Sequence, residues 1–339
     1  MQKTAMISGI SGQDGGYLAK FLFEKGYKIF GLYYGNSSDD YLGLKSHGIY
    51  EEITFLNFDL LDYSSILKLL DKYQPDEFYN LAAHVASSWK DPVYTMQASG
   101  TGVISILEAI RQFSPNTKFF QASTSEMFGT VDEFPQTENT SFCPYTPYGI
   151  AKLAAHWMVV NYYKSFGLFA CSGILYNHES PMRGKEYVTR KITMHFADVL
   201  VNGPCHPLEL GYLDAKRDWG FAGDYVKAMW MMLQHQTPET FIIATGKVHT
   251  VRNFVEEAGL ICGYEIEWHG NGENEIGVDK KSGRVLVKVN PEFYRPAESV
   301  LLVGNPEKAK NVLGWSSEYG FKELCHMMMK SDIEQAKNN

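Results

Sequence analysis

Near the N-terminus the heptapeptide GISGQDG places Gly9, Gly12 and Gly15 between a short apolar run, TAMIS (4–8), and a segment of helical spacing, GGYLAKFLFEKG (15–26). Few local patterns narrow the choice of fold as much as strand, glycine turn and helix in that order. Gly9 permits a tight turn, Gly12 lets a pyrophosphate approach the backbone, and Gly15 lets helix and strand pack closely. Apolar residues at 17, 18, 21 and 22 mark the buried helical stripe, and Gly26 is a natural C-cap. The helix N-terminus adds unpaired N–H groups and partial positive charge, which suit phosphates. A glycine pattern alone is often a plain turn; here its setting argues for a dinucleotide site that includes Gln13 and Asp14 of the loop.

Beyond the loop, strand-like and helix-like segments alternate. KIFGLYY (28–34), EITFLNFDL (52–60), EFYNLAA (77–83) and KFFQAST (118–124) read as buried strands. SSILKLLDKYQP (64–75) and the segments around 94–113 and 147–166 read as helices. This alternation predicts an α/β fold, a doubly wound parallel Rossmann sheet covered on both faces. The rhythm weakens after about residue 180. Short strands (207–211, 240–246, 265–270, 284–289) then mix with helices around 187–202, 222–235, 250–261 and 318–335. The division predicted is a dinucleotide-binding domain over 1–180 and a smaller C-terminal α/β substrate-binding domain over 181–339, packed over the sheet's carboxyl edge. The boundary is interleaved, because TFIIATG (240–246) suits the main sheet.

Composition narrows the function. A net charge of −8 at pH 7 argues against a nucleic-acid partner but leaves room for a small phosphorylated ligand. Five scattered cysteines without a C-x-x-C pair point to free thiols in a reducing compartment. No run of about 18 apolar residues and no signal-peptide pattern occurs, so a cytoplasmic protein off the membrane is expected. His178-Glu179 lacks a third ligand, so no metal is expected.

Within the predicted sheet, Asp59 and Leu60 would lie beside an adenine, and Leu81, Ala82 and Ala83 beside the ribose and pyrophosphate. The end of the second strand usually selects between ribose 2′ groups. Tyr33-Tyr34 stand there, neither an acid nor an arginine, and favour NAD slightly over NADP. Tyr148 and Lys152 form an i, i+4 pair on one helix face, so the ammonium stands beside the phenol. A phenol of pKa about 10 is a poor base at neutral pH, and a neighbouring cation favours its phenolate. The pair follows the Ser/Thr-rich strand end STSEM (123–127), which also carries Glu126.

Together these features resemble the extended short-chain dehydrogenase/reductase superfamily. More specifically, GISGQDGGYL (9–18), QASTSEMFG (121–129), PYGIAKL (147–153), NHESPMRG (177–184), VTRKI (188–192), LDAKRDWG (213–220), DYV (224–226) and YRPAE (294–298) are similar to GDP-mannose 4,6-dehydratases. The resemblance implies that Tyr148 removes the proton from the sugar O4, with Lys152 beside it and Thr124 bonded to O4. It implies that Glu126 takes the C5 proton and protonates the departing C6 hydroxyl, a group that epimerases and plain dehydrogenases do not need. It further implies cofactor contacts from Tyr94, His178 and Arg183, and substrate contacts from Asn177, Lys191, Arg217, Arg295 and Glu298, the last suited to guanine. A homodimer or homotetramer follows from the same likeness, through the helices near 94–113 and 147–166.

Three departures bear on specificity. Tyr33-Tyr34 replace an Arg pair, AAHVASSW (82–89) is two residues shorter than usual, and Met182 replaces the first Arg of P-R-R-G. GDP-mannose is the expected substrate, with a GDP-manno-heptose or GDP-hexosamine as alternatives. A nucleotide-sugar epimerase or reductase, and a catalytically silent cofactor-binding module, are the competing functions.

Overall fold

The computed structural model describes residues 2–35, 41–84, 88–203, 206–295 and 300–338. In chain order the first elements are β1 (Thr4–Ser8), α1 (Gln13–Glu24), β2 (Lys28–Tyr33), α2 (Leu42–Ser46), β3 (Ile53–Asn57), α3 (Tyr63–Tyr73), β4 (Glu77–Asn80) and α4 (Pro92–Met96). There follow α5 (Gly102–Phe113), β5 (Lys118–Thr124), α6 (Pro147–Phe166), β6 (Ala170–Leu175), β7 (His178–Glu179), α7 (Val188–Asn202), β8 (Leu208–Leu210), β9 (Lys216–Arg217) and β10 (Gly220–Phe221). The last are α8 (Ala222–Gln234), β11 (Thr240–Ile243), β12 (His249–Thr250), α9 (Val251–Ile261), β13 (Ile266–His269), β14 (Ile276–Asp279), β15 (Val285–Val289) and α10 (Phe321–Asn338).

The chain divides into two compact units, between which it passes repeatedly. The first comprises Met1–Tyr176, Ala222–Ala244 and Gly304–Ser316; the second comprises Asn177–Phe221, Thr245–Val303 and Ser317–Asn339.

A seven-stranded sheet in the order β11-β6-β5-β4-β1-β2-β3 runs through the first unit. Every pairing in it is parallel. Side-chain alternation explains why both faces are covered. Ala5, Ile7, Tyr79 and Phe120 pack with Leu18, Leu22 and Met229 from α1 and α8. The intervening Met6, Phe78 and Phe119 pack on the other face with Ile66, Ile106 and Val159 from α3, α5 and α6. A strand buried on both sides needs near-continuous apolar sequence, which is what the chain supplies. From central β1 the chain moves outward to β2 and β3, then returns to β4 on the other side. That reversal opens a crevice beyond the carboxyl ends of β1 and β4, the usual ligand position in such sheets.

The second unit holds a mixed sheet in the order β13-β14-β15-β8. Its core is built from α7, α9 and α10 side chains such as Phe196, Phe254 and Met328 against Leu286 and Val287. A buried Arg190 on α7 grips Asp332 on α10 through three hydrogen bonds of 2.7–3.0 Å.

Several details differ from the sequence reading. The helix predicted around 94–113 is two helices joined by a π-helical turn, Gln97–Thr101, in which a Cβ on Gly100 would fall 2.9 Å from the Met96 sulfur. Strand β6, an apolar run, went unassigned in the sequence, as did β14, whose Gly277 weakens any strand signal. No helix among the described residues is long and apolar enough to cross a membrane. Cys143, Cys171, Cys262 and Cys325 are free thiols, and Cys205 lies outside the described residues.

Candidate active site

At the end of β1 the chain turns at Gly9, whose φ of +72° is left-handed. A Cβ on Gly9 would stand 2.9 Å from the Ala82 backbone N, and one on Gly15 would stand 2.3 Å from the Gly9 carbonyl oxygen. Any side chain at either position would push the loop off β4 or α1. Gly12 caps α1 with no side-chain bond over its first turn. A glycine at that position leaves room for an anion beside the N–H end of the helix. Gln13 donates to Asp14 at 3.2 Å within the same turn.

A cleft beside this loop is lined by Gly9, Asp59, Leu60, Ala82, Ala83 and Tyr94, together with Tyr33 and Tyr34. Gly12, Gln13, Asp14, Gly15 and Leu81 are not part of that lining. Tyr94 meets His84 edge-on at 5.0 Å, and burial raises its phenol pKa. Ser11, inside the glycine loop, Tyr41, and His84, just past Ala83, also line the cleft and were not assigned roles in the sequence. The donors and shape fit a nicotinamide dinucleotide: a glycine cradle that a Cβ would fill, a helix N-terminus and an aromatic wall.

The catalytic candidates gather at the end of β5. After Thr124 the chain enters a 3₁₀ turn, Ser125–Met127, in which the Thr124 hydroxyl accepts the Glu126 N–H at 3.2 Å. Helix α6 begins with Pro147 after the N-cap Thr146. The Thr146 hydroxyl accepts the Gly149 N–H at 2.9 Å and donates to Glu126 Oε2 at 2.9 Å. One side chain thus caps the helix and aims the carboxylate. The sequence reading missed Thr146, although a threonine before a proline is a legible helix start. Gly149 lets the helix approach so closely; a Cβ there would fall 2.8 Å from the Glu126 carbonyl oxygen.

One turn into α6, the Lys152 ammonium lies 5.7 Å from the centroid of the half-buried Tyr148 ring and donates to the Ala122 carbonyl at 2.7 Å. Burial disfavours its charged form and pushes its pKa down to about 7. His156, a further turn along, bonds the Ser172 hydroxyl at 2.8 Å and is held by burial at about 4, neutral at pH 7.

The residues expected on the substrate side, and His178 and Arg183 expected toward the cofactor, lie in the second unit. The Asn177 carbonyl accepts the Gly220 N–H at 2.9 Å, and His178 begins β7, paired with β10. Arg183 stacks on the Tyr187 ring at 3.5 Å and faces the buried Glu179 at 3.2 Å. Lys191 is exposed on α7, 5.7 Å from the Phe293 ring. Arg217 lies on β9 opposite His249 and donates to the Lys216 carbonyl at 2.7 Å. Arg295 is exposed; Glu298 lies outside the described residues. So do residues 85–87 of the shortened loop.

The model of the family described as GDP-mannose 4,6 dehydratase matches residues 6–328. The chain belongs to that family. It is 45% identical to a GDP-mannose 4,6-dehydratase of Yersinia enterocolitica, with 99% of this chain and 95% of that one covered. It is also 45% identical to the GDP-mannose 4,6 dehydratase of Homo sapiens, covering 100% and 93%. Among solved structures, dTDP-glucose 4,6-dehydratase of Bacillus anthracis in complex with NAD superposes with a TM-score of 0.80 at 19% identity, over 97% and 96% of the two chains. A UDP-glucose 4-epimerase of Thermotoga maritima gives 0.80 at 20%, over 99% and 100%. At that identity the structural likeness speaks to the fold alone.

Proposed function

We propose that the chain is a GDP-sugar 4,6-dehydratase that converts GDP-mannose to its GDP-4-keto-6-deoxy product. The observation that carries the reading is Glu126, held by Thr146 at the start of the helix that bears Tyr148 and Lys152. A C4 epimerase has no step for that carboxylate.

Tyr148 takes the proton of the sugar O4, and Lys152 beside it, in its protonated form, stabilises the phenolate; that form is half-populated near pH 7. Thr124 bonds O4 as the ketone forms. That ketone acidifies C5–H, whose proton passes to Glu126 and from there to the C6 hydroxyl, which leaves as water. C5 finally takes a proton from solvent, balanced by the O4 proton that Tyr148 gives up, so the balance is the loss of one water. When bound, the nicotinamide supplies a store for the C4 hydride until its return at C6, so no net oxidation occurs. Gly9, Gly12, Gly15 and the α1 N-terminus hold the pyrophosphate, with Asp59 and Tyr94 toward the adenosine. Tyr33 and Tyr34 offer no cation to a 2′-phosphate, which supports NAD as the preferred form.

Asn177, Lys191, Arg217, Arg295 and Glu298 bind the GDP moiety, with His178 and Arg183 toward the cofactor. The 181–339 segment is the chief substrate-binding part. Exposed Ile150 and Trp157, 44% and 54% accessible and seven residues apart on one face of α6, support pairing of two chains through that helix. Mass spectrometry of the products from a panel of GDP-sugars tests the reading: GDP-mannose loses one water without consuming added nicotinamide. Turnover of GDP-manno-heptose but not of GDP-mannose would move the substrate and spare the mechanism.

A further inference from the structure

Beneath the nucleotide cleft runs a line of hydrogen bonds that the reaction scheme does not use. The Ala82 N–H donates to Ser8 Oγ at 3.3 Å, and Ser8 Oγ donates to Asn80 Oδ1 at 2.6 Å. Asn80 Nδ2 donates to Gln121 Oε1 at 2.8 Å, and Gln121 Nε2 donates to the Ala122 carbonyl at 2.9 Å. That same carbonyl accepts the Lys152 ammonium at 2.7 Å. Strand register makes the line possible, because Ser8 pairs with Asn80 and Asn80 with Gln121 on neighbouring strands. The Ser8, Asn80 and Gln121 side chains are fully buried.

The ends of the line fix its direction. A backbone N–H at Ala82 can only donate, and a backbone carbonyl at Ala122 can only accept. Ser8 must therefore turn its proton to Asn80, and each amide in turn presents its oxygen backward and its NH₂ forward. Flipping either amide would set donor against donor. Hydrogen bonds aligned in one sense polarise one another, so the line is stiffer than its members taken singly. One end lies at Ala82, in the lining of the nucleotide cleft; the other is the one hydrogen-bond acceptor that Lys152 reaches among the described residues.

We propose that Asn80 and Gln121 are positioning residues for catalysis, which fix the Ala122 carbonyl that anchors Lys152 and tie it to the Ala82 segment. The alternative is a polar seam that stabilises the sheet and nothing more. The inference rests on the dehydratase reading, and a displacement of the lysine by about 1 Å is enough to cost up to about 10²-fold in rate.

The test measures kcat and KM for GDP-mannose, and melting temperature, in the full chain carrying Gln121→Met, Asn80→Leu or both. Gln121→Met leaves the buried Asn80 amide without its acceptor, so melting temperature and kcat both fall, kcat by about ten-fold with KM within about two-fold. The double variant removes that orphan and recovers part of the melting temperature while kcat stays low. If kcat recovers in step with stability, or is unchanged in the single variant, the proposal is overturned. Should Gln121→Met not fold, Ser8→Ala cuts the line by one oxygen; a fall in kcat of about three-fold supports it, and an unchanged kcat overturns it. Wild-type inactivity on every GDP-sugar would instead overturn the dehydratase reading. The relay is then judged on NAD affinity, which Gln121→Met lowers about ten-fold if Lys152 has moved and leaves unchanged if not.

Discussion

In the first unit the polar groups assigned to chemistry are buried or half-buried and held by named partners: Lys152 on the Ala122 carbonyl, Glu126 on Thr146. In the second, two of the three cations assigned to substrate, Lys191 and Arg295, are exposed, and the third, Arg217, is half-buried. Of the charges that the second unit buries, Arg190 and Asp332 are spent on each other. Proton transfer needs groups fixed to a fraction of an ångström, and fixing them requires burial and directed hydrogen bonds. A diphosphate spreads its charge over several oxygens and tolerates a flexible lysine. Changes in the first unit should therefore strike kcat, and changes among the exposed cations should strike KM.

The sharpest break is Glu126→Gln. It keeps the shape and the Thr146 contact but cannot take a proton, so dehydration falls by roughly 10²–10⁴-fold. Circular dichroism should show an unchanged fold, and C5–H exchange with solvent, followed by NMR in D₂O, should stop. Retained activity would favour an epimerase or reductase.

Asp332→Ala probes the opposite kind of burial. It strands Arg190 between α7 and α10, at a cost of about 3–5 kcal/mol in denaturant unfolding. Activity per folded molecule should change far less than in Glu126→Gln, because the pair touches no residue assigned to proton transfer.

Lys152→Met separates the two effects within one residue. The lysine has a pKa of about 7 in the fold and about 10.5 unfolded. Below pH 7 both states carry the proton, and the fold bears the full cost of burying it. Between those values only the unfolded chain holds the proton, so stability from this group rises with pH by at most about 1.4 kcal/mol per unit. The methionine variant lacks that slope. Its stability relative to wild type should be greatest below pH 7 and shrink as pH rises, read from urea midpoints, while its kcat collapses at every pH.

The smallest effects belong to Lys191→Ala and Arg295→Ala. Each should raise KM for the GDP-sugar by roughly three- to ten-fold with kcat nearly unchanged, in steady-state assays at low salt. A collapse of kcat in either would erase the contrast between the units.

How much of this was legible in the sequence follows the same division. Gly9 and Gly15 were readable because close backbone approach leaves no alternative to glycine, and Tyr148-Lys152 because helical spacing puts them on one face. The parallel sheet was readable from its apolar strands. Thr146, Asn80 and Gln121 were not assigned roles, since their bonds join strands and helices far apart in sequence and no local period announces them. Strand-like TFIIATG (240–246) marked the interleaved boundary in the sequence, and β11 pairs with β6 of the main sheet; the placing of Gly304–Ser316 in the first unit depends on long-range packing that local patterns do not encode.

The most direct test of the central claim is the product that wild-type protein forms from GDP-mannose in D₂O with catalytic NAD. The account predicts a sugar lighter by one water, with one solvent deuterium at C5 and no accumulation of reduced nicotinamide. A product of unchanged formula, or one that has merely lost two hydrogens as nicotinamide is reduced, would contradict the role assigned to Glu126.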